Sequence, residues 1–329
     1  MGLVDIRALV DAALELSIVG SFSRVGIALR RRLFRWQRPA PGALRGRTVL
    51  ITGPTSGLGR AATDALAGLG ARVILVGRSP DRLAAVREAL VATHGEDRFP
   101  VVVADMGSLA SVRAAVSRVL ETESRLDVLV DNAGAIFPER IEGPDGIEAT
   151  LATLVIGPFV LEAGLLPLLR RTAGSRVIAV TSGGMYTQRV DFDDLQWISG
   201  PFSGPRAYAR AKRIQVALVR EWARRLGSSG IVVDAMHPGW ADTPGLREAL
   251  PMFHRLMGRL LRSEDEGADT LVWLASAPEA GALSGELFLD RRPRPFDRVR
   301  ATRLSARDRR RLWSAVVELS GEADPLPEA

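Results

Sequence analysis

At 329 residues, 47% of them hydrophobic and 25% charged, the chain has the composition of a globular protein with a sizeable core. It has no cysteine, which excludes disulfides and thiolate metal sites, and His94, His237 and His254 lie too far apart in sequence to suggest a metal site. The formal net charge is +6, yet of the 44 basic residues only Lys212 is lysine, and Asn132 is the single asparagine.

The first stretch, LVDIRALVDAALELSIVG (3–20), reads as an amphipathic helix, and Asp5, Arg7, Asp11 and Glu15 are too many charges for a membrane span. An arginine cluster (Arg30, Arg31, Arg32, Arg35, Arg38) and a Pro-rich linker, QRPAPGALRGR, follow it. Two readings stay open for this helix: it lies in a membrane interface with the arginines on anionic headgroups, or it packs on the rest of the chain. After the linker come seven apolar runs: RTVLIT (47–52), ARVILVG (71–77), FPVVVA (99–104), LDVLVD (126–131), SRVIAVT (175–181), IVVDAM (231–236) and GELFLD (285–290). Runs of this length and composition suit strands buried on both faces of a parallel sheet. Helical patterns alternate with them, two opening behind Ser79 and Ser108 as caps. The pattern predicts an α/β fold: a Rossmann-like, doubly wound, parallel seven-stranded sheet in a single domain at 46–290. A helical, basic extension and linker occupy 1–45, and a basic appendage with a helix occupies 291–329. The apolar run PFVLEAGLLPLL (158–169) is too short to span a membrane. The arginine cluster at 291–311 suits solvated helix faces, an anionic surface or an acidic partner; no nucleic-acid module accompanies it, so nucleic acid is not expected as a partner.

The first strand leads through TGPTSGLG into a helix. Glycines there let the backbone turn sharply and approach a pyrophosphate at the helix N-terminus. After the second strand the chain reads LVGRSPDR; Arg78 stands where an acid would favour NAD, and its guanidinium suits the 2′-phosphate of NADP(H). Tyr208 and Lys212, four apart in a helical pattern, share one helix face. A phenol is a poor acid/base at neutral pH, and a neighbouring ammonium would stabilise its phenolate. Arginine's planar fork would not replace that compact charge. Ser182 follows the fifth strand, where its hydroxyl could orient a substrate oxygen.

TGPTSGLG, DNAG, Ser182 with YARAK, and HPG stand in the order and approximate spacing of the short-chain dehydrogenase/reductase superfamily, which the chain resembles over roughly 46–290. The long interval from Ser182 to Tyr208, with its DFDDLQW, looks like the retinol-dehydrogenase-like branch. The resemblance implies NADP(H)-dependent hydride transfer between nicotinamide and a small lipophilic carbonyl or alcohol substrate, with Ser182, Tyr208 and Lys212 catalytic. It implies a cofactor on Thr52, Gly53, Thr55, Ser56, Gly57, Leu58, Gly59, Arg78, Asp105, Met106, Asn132, Ala133, Gly134, Tyr208, Lys212, Pro238, Gly239 and Thr243. One departure stands out: Leu154 occupies the place of an asparagine that helps hold a proton-relaying water in the family. It motivates the alternative of an NADP-binding regulatory or scaffold protein. The apolar and basic segment 243–263 reads as a lid for a lipophilic substrate or as a packed helix, with Trp197 and Phe202 at the same mouth. A cytoplasmic location, peripheral membrane contact, and a homo-oligomer through helices 146–170 and 206–227 complete the expectations.

Overall fold

The computed structural model describes residues 6–95 and 98–328, so Asp5 lies outside the described residues. Seven parallel strands form the sheet: β1 (Thr48–Thr52), β2 (Arg72–Gly77), β3 (Val101–Val103), β4 (Val128–Asp131), β5 (Arg176–Val180), β6 (Val232–Met236) and β7 (Leu287–Leu289). A two-residue strand, β8 (Arg292–Pro293), adds an eighth, antiparallel to β7. The order is β3-β2-β1-β4-β5-β6-β7-β8, and the reversal between β1 and β4 puts a crevice at the carboxyl ends of those strands. All seven apolar runs became strands. The eighth was not expected, because Arg292 and Pro293 carry no apolar signal; Pro293 is tolerated there because β8 is an edge.

Helices α1 (Ile6–Leu16), α2 (Ile18–Phe22) and α3 (Arg24–Leu33) precede the sheet. Between the strands run α4 (Gly57–Gly68), α5 (Pro80–His94), α6 (Leu109–Thr122), α7 (Ala149–Leu151), α8 (Gly157–Arg171) and α9 (Gly204–Leu226). A π-helical turn, Ala152–Ile156, joins α7 to α8. Helices α10 (Pro244–Ala249), α11 (Pro251–Met257) and α12 (Glu264–Ser276) lie between β6 and β7, and α13 (Ala306–Ser320) closes the chain. Ser79 and Ser108 cap α5 and α6, accepting hydrogen bonds from Arg82 N and Ser111 N.

Alternate strand residues feed two cores. Leu50, Leu129, Val177 and Ala179 join the core beneath α6, α8, α9 and α13, whereas Val49, Ile51, Val128, Val130 and Ile178 join the other, beneath α4, α5 and α12. Asp131, at the end of β4, has the parity of Leu129 and so faces α8 and α9. The sequence of Ala149–Arg171 is long and apolar enough to cross a membrane, but this stretch is mostly buried in the protein's own core.

Helix α13 lies across α8 and α9. Trp313 is fully buried and meets Phe159 and Trp222 edge-on at 5.1 and 4.8 Å. The chain's own C-terminal helix thus covers part of the two helices expected as self-association surfaces.

The N-terminal extension packs on the rest of the chain through its charges. Asp11 and Arg30 are buried; Arg30 bonds Asp11 (2.7 Å) and Asp290 (2.7 Å), Arg262 forks onto Asp290 (2.7 and 3.0 Å), and Arg294 forks onto Asp11 (2.9 and 3.0 Å). Arg298 pairs with Glu15 and Arg291 with Asp269. Much of the 291–311 arginine cluster is thus engaged inside the protein, not held out for a partner. The apolar residues of the extension do the opposite: Ile6, Leu9, Leu16, Ile18 and Val19 are exposed, Leu16 by 88%.

Candidate active site

The glycine turn after β1 is built for close approach. Gly53 and Gly57 have φ of +69° and +56°, the left-handed region that side chains rarely enter. A Cβ on Gly59 would fall 2.0 Å from Gly53 O and 2.4 Å from Asn132 Nδ2, so only glycine lets α4 start this close to the strand ends. Thr55 and Ser56 fill the turn. Ser56 precedes α4 without using its hydroxyl as a cap, so the first-turn N–H groups have no side-chain acceptor there. Leu58 packs towards Gly267 and serves the core. Arg78 is exposed just past β2, as a group meeting a ligand at the strand end would be. These features fit a dinucleotide phosphate at the turn.

Asn132 sits where β4 ends and stitches that end to β1. Its Nδ2 donates to Thr52 O (2.9 Å) and Gly53 O (3.1 Å). Thr52 Oγ1 in turn accepts from the backbone N–H groups of Asn132 and Ala133, both at 3.0 Å. A short side chain with two amide N–H donors is used here, which fits this chain's keeping its one asparagine at this point. Asp105 Oδ1 accepts from Gly107 N (2.9 Å) and shapes the turn after β3, while Met106 beside it is buried in the core. Across the crevice, Thr243 caps α10 by accepting from Leu246 N, and its side chain stands 3.4 Å from where a Cβ on Gly57 would be. Pro238 O accepts from Arg262 Nη1 (3.1 Å), and Gly239, at φ +72°, has no room for a side chain against Arg262 and Phe22 O.

Tyr208 and Lys212 lie on one face of α9, beside the end of β5. Ser182 stands beside Tyr208 and acts on its phenol, while its Oγ accepts from Gly184 N (3.3 Å). Lys212 is 2% exposed; its Nζ donates to Val180 O (2.7 Å) and stands 5.6 Å from the centre of the Tyr208 ring. Burial pushes the Tyr208 phenol up to about 12, against the smaller opposing effect of Ser182. Burial likewise pushes Lys212 down to about 7, with Asp131 opposing. The expected lowering of the phenol by the ammonium is therefore not seen. The physical reason is that Lys212 is itself desolvated and points its charge at a backbone carbonyl. The arrangement holds a protonated phenol next to a hydroxyl, ready to give a proton to a bound oxygen.

Several contributors were not read from the sequence. Phe22 of the extension lies between the two loops of the site: a Cβ on Gly183 would be 2.6 Å from its ring, and one on Gly239 would be 2.6 Å from its carbonyl oxygen. Its ring meets His237 at 4.8 Å and Trp240 at 5.9 Å. His237 is fully buried and held neutral, pushed well below its usual range by burial and the surrounding arginines. Asp131 and Glu162, both buried, face Lys212's side of the sheet, and the one sequence signal for Glu162 is a lone acid inside an apolar run. Trp197 is buried under Arg210, whose guanidinium lies 4.1 Å from its ring centre, and meets Phe202 edge-on at 5.6 Å, so it packs the long insert onto α9. The 243–263 segment forms α10 and α11 with Met252 and Leu256 exposed and Phe253 against Trp240.

The chain was compared with known proteins. A family profile described as short chain dehydrogenase matches residues 47–193. Human dehydrogenase/reductase SDR family member 12 is 39% identical over 249 residues, covering 75% of this chain and 78% of that protein. Human retinol dehydrogenase 14 is 34% identical over 307 residues, covering 86% and 90%. Among solved structures, a Pseudomonas aeruginosa RhlG/NADP active-site complex shares 27% identity and a TM-score of 0.62, covering 77% of this chain and 97% of that one. A 3-ketoacyl-(acyl-carrier-protein) reductase from Brucella melitensis, complexed with NADH, shares 25% identity and a TM-score of 0.60, covering 74% and 96%. Relatives this similar over this much of their length, together with the glycine turn and the tyrosine and lysine on α9, show that the chain belongs to the short-chain dehydrogenase/reductase family and is an NAD(P)-dependent oxidoreductase.

Proposed function

We propose that the protein uses NADP(H) to interconvert a small lipophilic carbonyl compound and its alcohol, with Ser182, Tyr208 and Lys212 as the reacting constellation. The observation that carries this reading is the grouping of Ser182 and Tyr208 with buried Lys212, whose Nζ stands 5.6 Å from the Tyr208 ring centre. The nicotinamide dinucleotide supplies or accepts the hydride when bound. Ser182 orients the carbonyl oxygen, Tyr208 gives it a proton, and Lys212 supports the phenol. Thr52, Gly53, Thr55, Ser56, Gly57, Leu58 and Gly59 would cradle the phosphates at α4. Asp105, Met106, Asn132, Ala133 and Gly134 would line the adenine and nicotinamide sides, with Pro238, Gly239 and Thr243 across the crevice. Arg78 favours a 2′-phosphate, since no acid stands at that strand end. The retention of all three reacting groups in one cluster favours an enzyme over a cofactor-binding scaffold.

The lipophilic substrate class is supported by the exposed apolar Met252 and Leu256 on α11, and by the likeness to a retinol dehydrogenase. The test is NADPH binding to the purified protein, then NADPH consumption against lipophilic aldehydes and ketones. Parent protein should consume NADPH with some of them, and Tyr208→Phe should bind NADPH equally while losing turnover by roughly a thousandfold. Equal rates for the two proteins would remove Tyr208 from the chemistry.

Peripheral contact with a membrane, from the cytoplasmic side, fits the exposed apolar side chains of α1 and α2, which adjoin α11 through Phe22, Trp240 and Phe253. Exposed Arg32, Arg35 and Arg38 follow them. Flotation with anionic vesicles should retain the protein, and Leu16→Asp with Ile18→Asp should release it without loss of fold. Retention of neither parent nor variant would end the idea.

A further inference from the structure

The tyrosine and lysine must recover a proton after each reduction, and the solvent path that the family uses is closed here. Leu154 is fully buried in the π-helical turn before α8. Its Cδ2 and Lys212 Nζ lie 3.2 and 4.0 Å from the point where a Cβ on Gly134 would stand, so an apolar group shares the ammonium's surroundings. Leucine can neither donate nor accept a proton.

The opposite side of Lys212 is different. Asp131 from β4 and Glu162 from α8 are 2% and 8% exposed, and neither pairs with an arginine. Neither Asp131 oxygen meets an N–H or hydroxyl donor among the described residues, so a hydrogen bond between the two carboxyls requires that one of them hold a proton. Two buried carboxylates in contact do not both ionise. Burial pushes Asp131 up to about 7, with Glu162 and Lys212 opposing, and lifts Glu162 well above the carboxylate range, reinforced by Asp131. The charged groups acting on the pair are few: α9 contributes Lys212, and β5 contributes only apolar Val177 and Ala179. Beyond Glu162 lies a cavity of about 10 Å³, lined by Leu154, Glu162, Gln215 and Trp222 among others. Gln215 Oε1 and Trp222 Nε1 lack protein partners, and a space of this size holds about one water.

We propose that Asp131 and Glu162 share one proton and pass it to Lys212, replacing the solvent path that Leu154 closes. The proposal rests on the oxidoreductase reading above. In reduction, the Tyr208 O–H bond breaks as its proton goes to the substrate oxygen. The phenolate regains a proton from Lys212, Lys212 regains one from the carboxyl pair, and the pair regains one from a solvent acid (hydronium or buffer) handed on through the water beside Gln215, which is left neutral. One proton enters from that acid for each one delivered, and the hydride comes from NADPH, so charge and atoms balance. Asp131 and Glu162 touch neither substrate nor cofactor; they are positioning residues that act through Lys212.

The sign of the pH dependence follows. Reduction is fast while the pair and Lys212 hold their protons and slows as pH rises above about 7. The experiment compares the full-length parent, Glu162→Gln and Asp131→Asn. Infrared spectra without substrate should show a protonated-carboxyl stretch in the parent near neutral pH, lost in Glu162→Gln. With a carbonyl compound that the parent reduces, Glu162→Gln should bind NADPH within about twofold of parent yet turn over about tenfold more slowly above pH 7, less so at lower pH. Adding Leu154→Asn should restore turnover, which a merely structural loss would not allow. An absent carboxyl band in the parent, or unchanged turnover and pH profile in Glu162→Gln, overturns the proposal. If Glu162→Gln does not fold, Asp131→Asn is read by the same criteria. If the parent reduces nothing, the oxidoreductase reading is what fails, and the infrared arm still decides whether the pair holds a proton.

Discussion

Two buried charge clusters lie at opposite ends of the same argument. In the first, Arg30, Arg262 and Arg294 converge on Asp11 and Asp290 with forked, short contacts, and the guanidiniums also reach backbone oxygens of Ser21, Phe22 and Pro238. In the second, Lys212 donates to Val180 O, and among the described residues Asp131 has no donor but a protonated neighbour. Burying an ion costs several kcal/mol unless geometry and hydrogen bonds compensate. The first cluster is compensated throughout and fastens the N-terminal extension to β7 and the segment after it. The second is left short of partners, and its groups titrate near neutrality instead. A fully matched network holds the fold; an under-matched one can move protons.

The sharpest way to break this contrast is to remove one member from each cluster. Asp290→Ala leaves Arg262 buried without a counter-charge and Arg30 with Asp11 and Glu15 alone, and should cost roughly 3–5 kcal/mol in urea unfolding. A change under about 1 kcal/mol would mean that water replaces the carboxylate freely. Arg78 comes next in size. Arg78→Ala should weaken NADPH binding about tenfold and leave NADH binding almost unaltered, because the lost contact is to the 2′-phosphate alone. Parallel loss for both dinucleotides would move Arg78 to a general role. The smallest effect has the opposite sign to the first. Asp131→Asn should raise stability by about 1 kcal/mol at pH 8 and by less at pH 5. The sign follows from a folded-state pKa raised from 3.8 to about 7: the parent's penalty is absent below the unfolded value and complete above the folded one. Equal stability of the two proteins at both pH values would show that Asp131 is better solvated than its burial implies.

What the sequence disclosed divides along the same line. Strands and the glycine turn were legible because they depend on local chemistry: β-branched runs, glycines at positive φ, serines one residue before a helix. Tyr208, Lys212 and Asn132 were legible because their residue types are nearly unique in the chain. The clusters were not. Arg30 meets Asp290 across 260 positions, and neither residue looks different from its neighbours in an arginine-rich sequence. The N-terminal helix shows what periodicity alone leaves open: it offered an apolar face either for a membrane interface or for packing, and in the fold Asp11 and Glu15 face the protein while Leu9 and Leu16 face outward. The pairing of Asp131 with Glu162 depends on a strand parity and a helix rotation that only the assembled sheet supplies.

The long reach of the arginine network has a consequence for how the chain acquires its shape. Residues 11 to 30 are made early and Arg30 can pair with Asp11 and Glu15 at once, but the partners that tie them to the sheet, Asp290 and Arg294, come only after every strand from β1 to β7 has been made. Contacts of such separation form late, since the intervening loop must close before they repay its entropy. The contacts that fasten the first three helices to the sheet are therefore expected to close late, bringing both ends of the chain together over loops that contain Ser182 and Gly239. The active site acquires its final walls at the same moment that the fold is fastened.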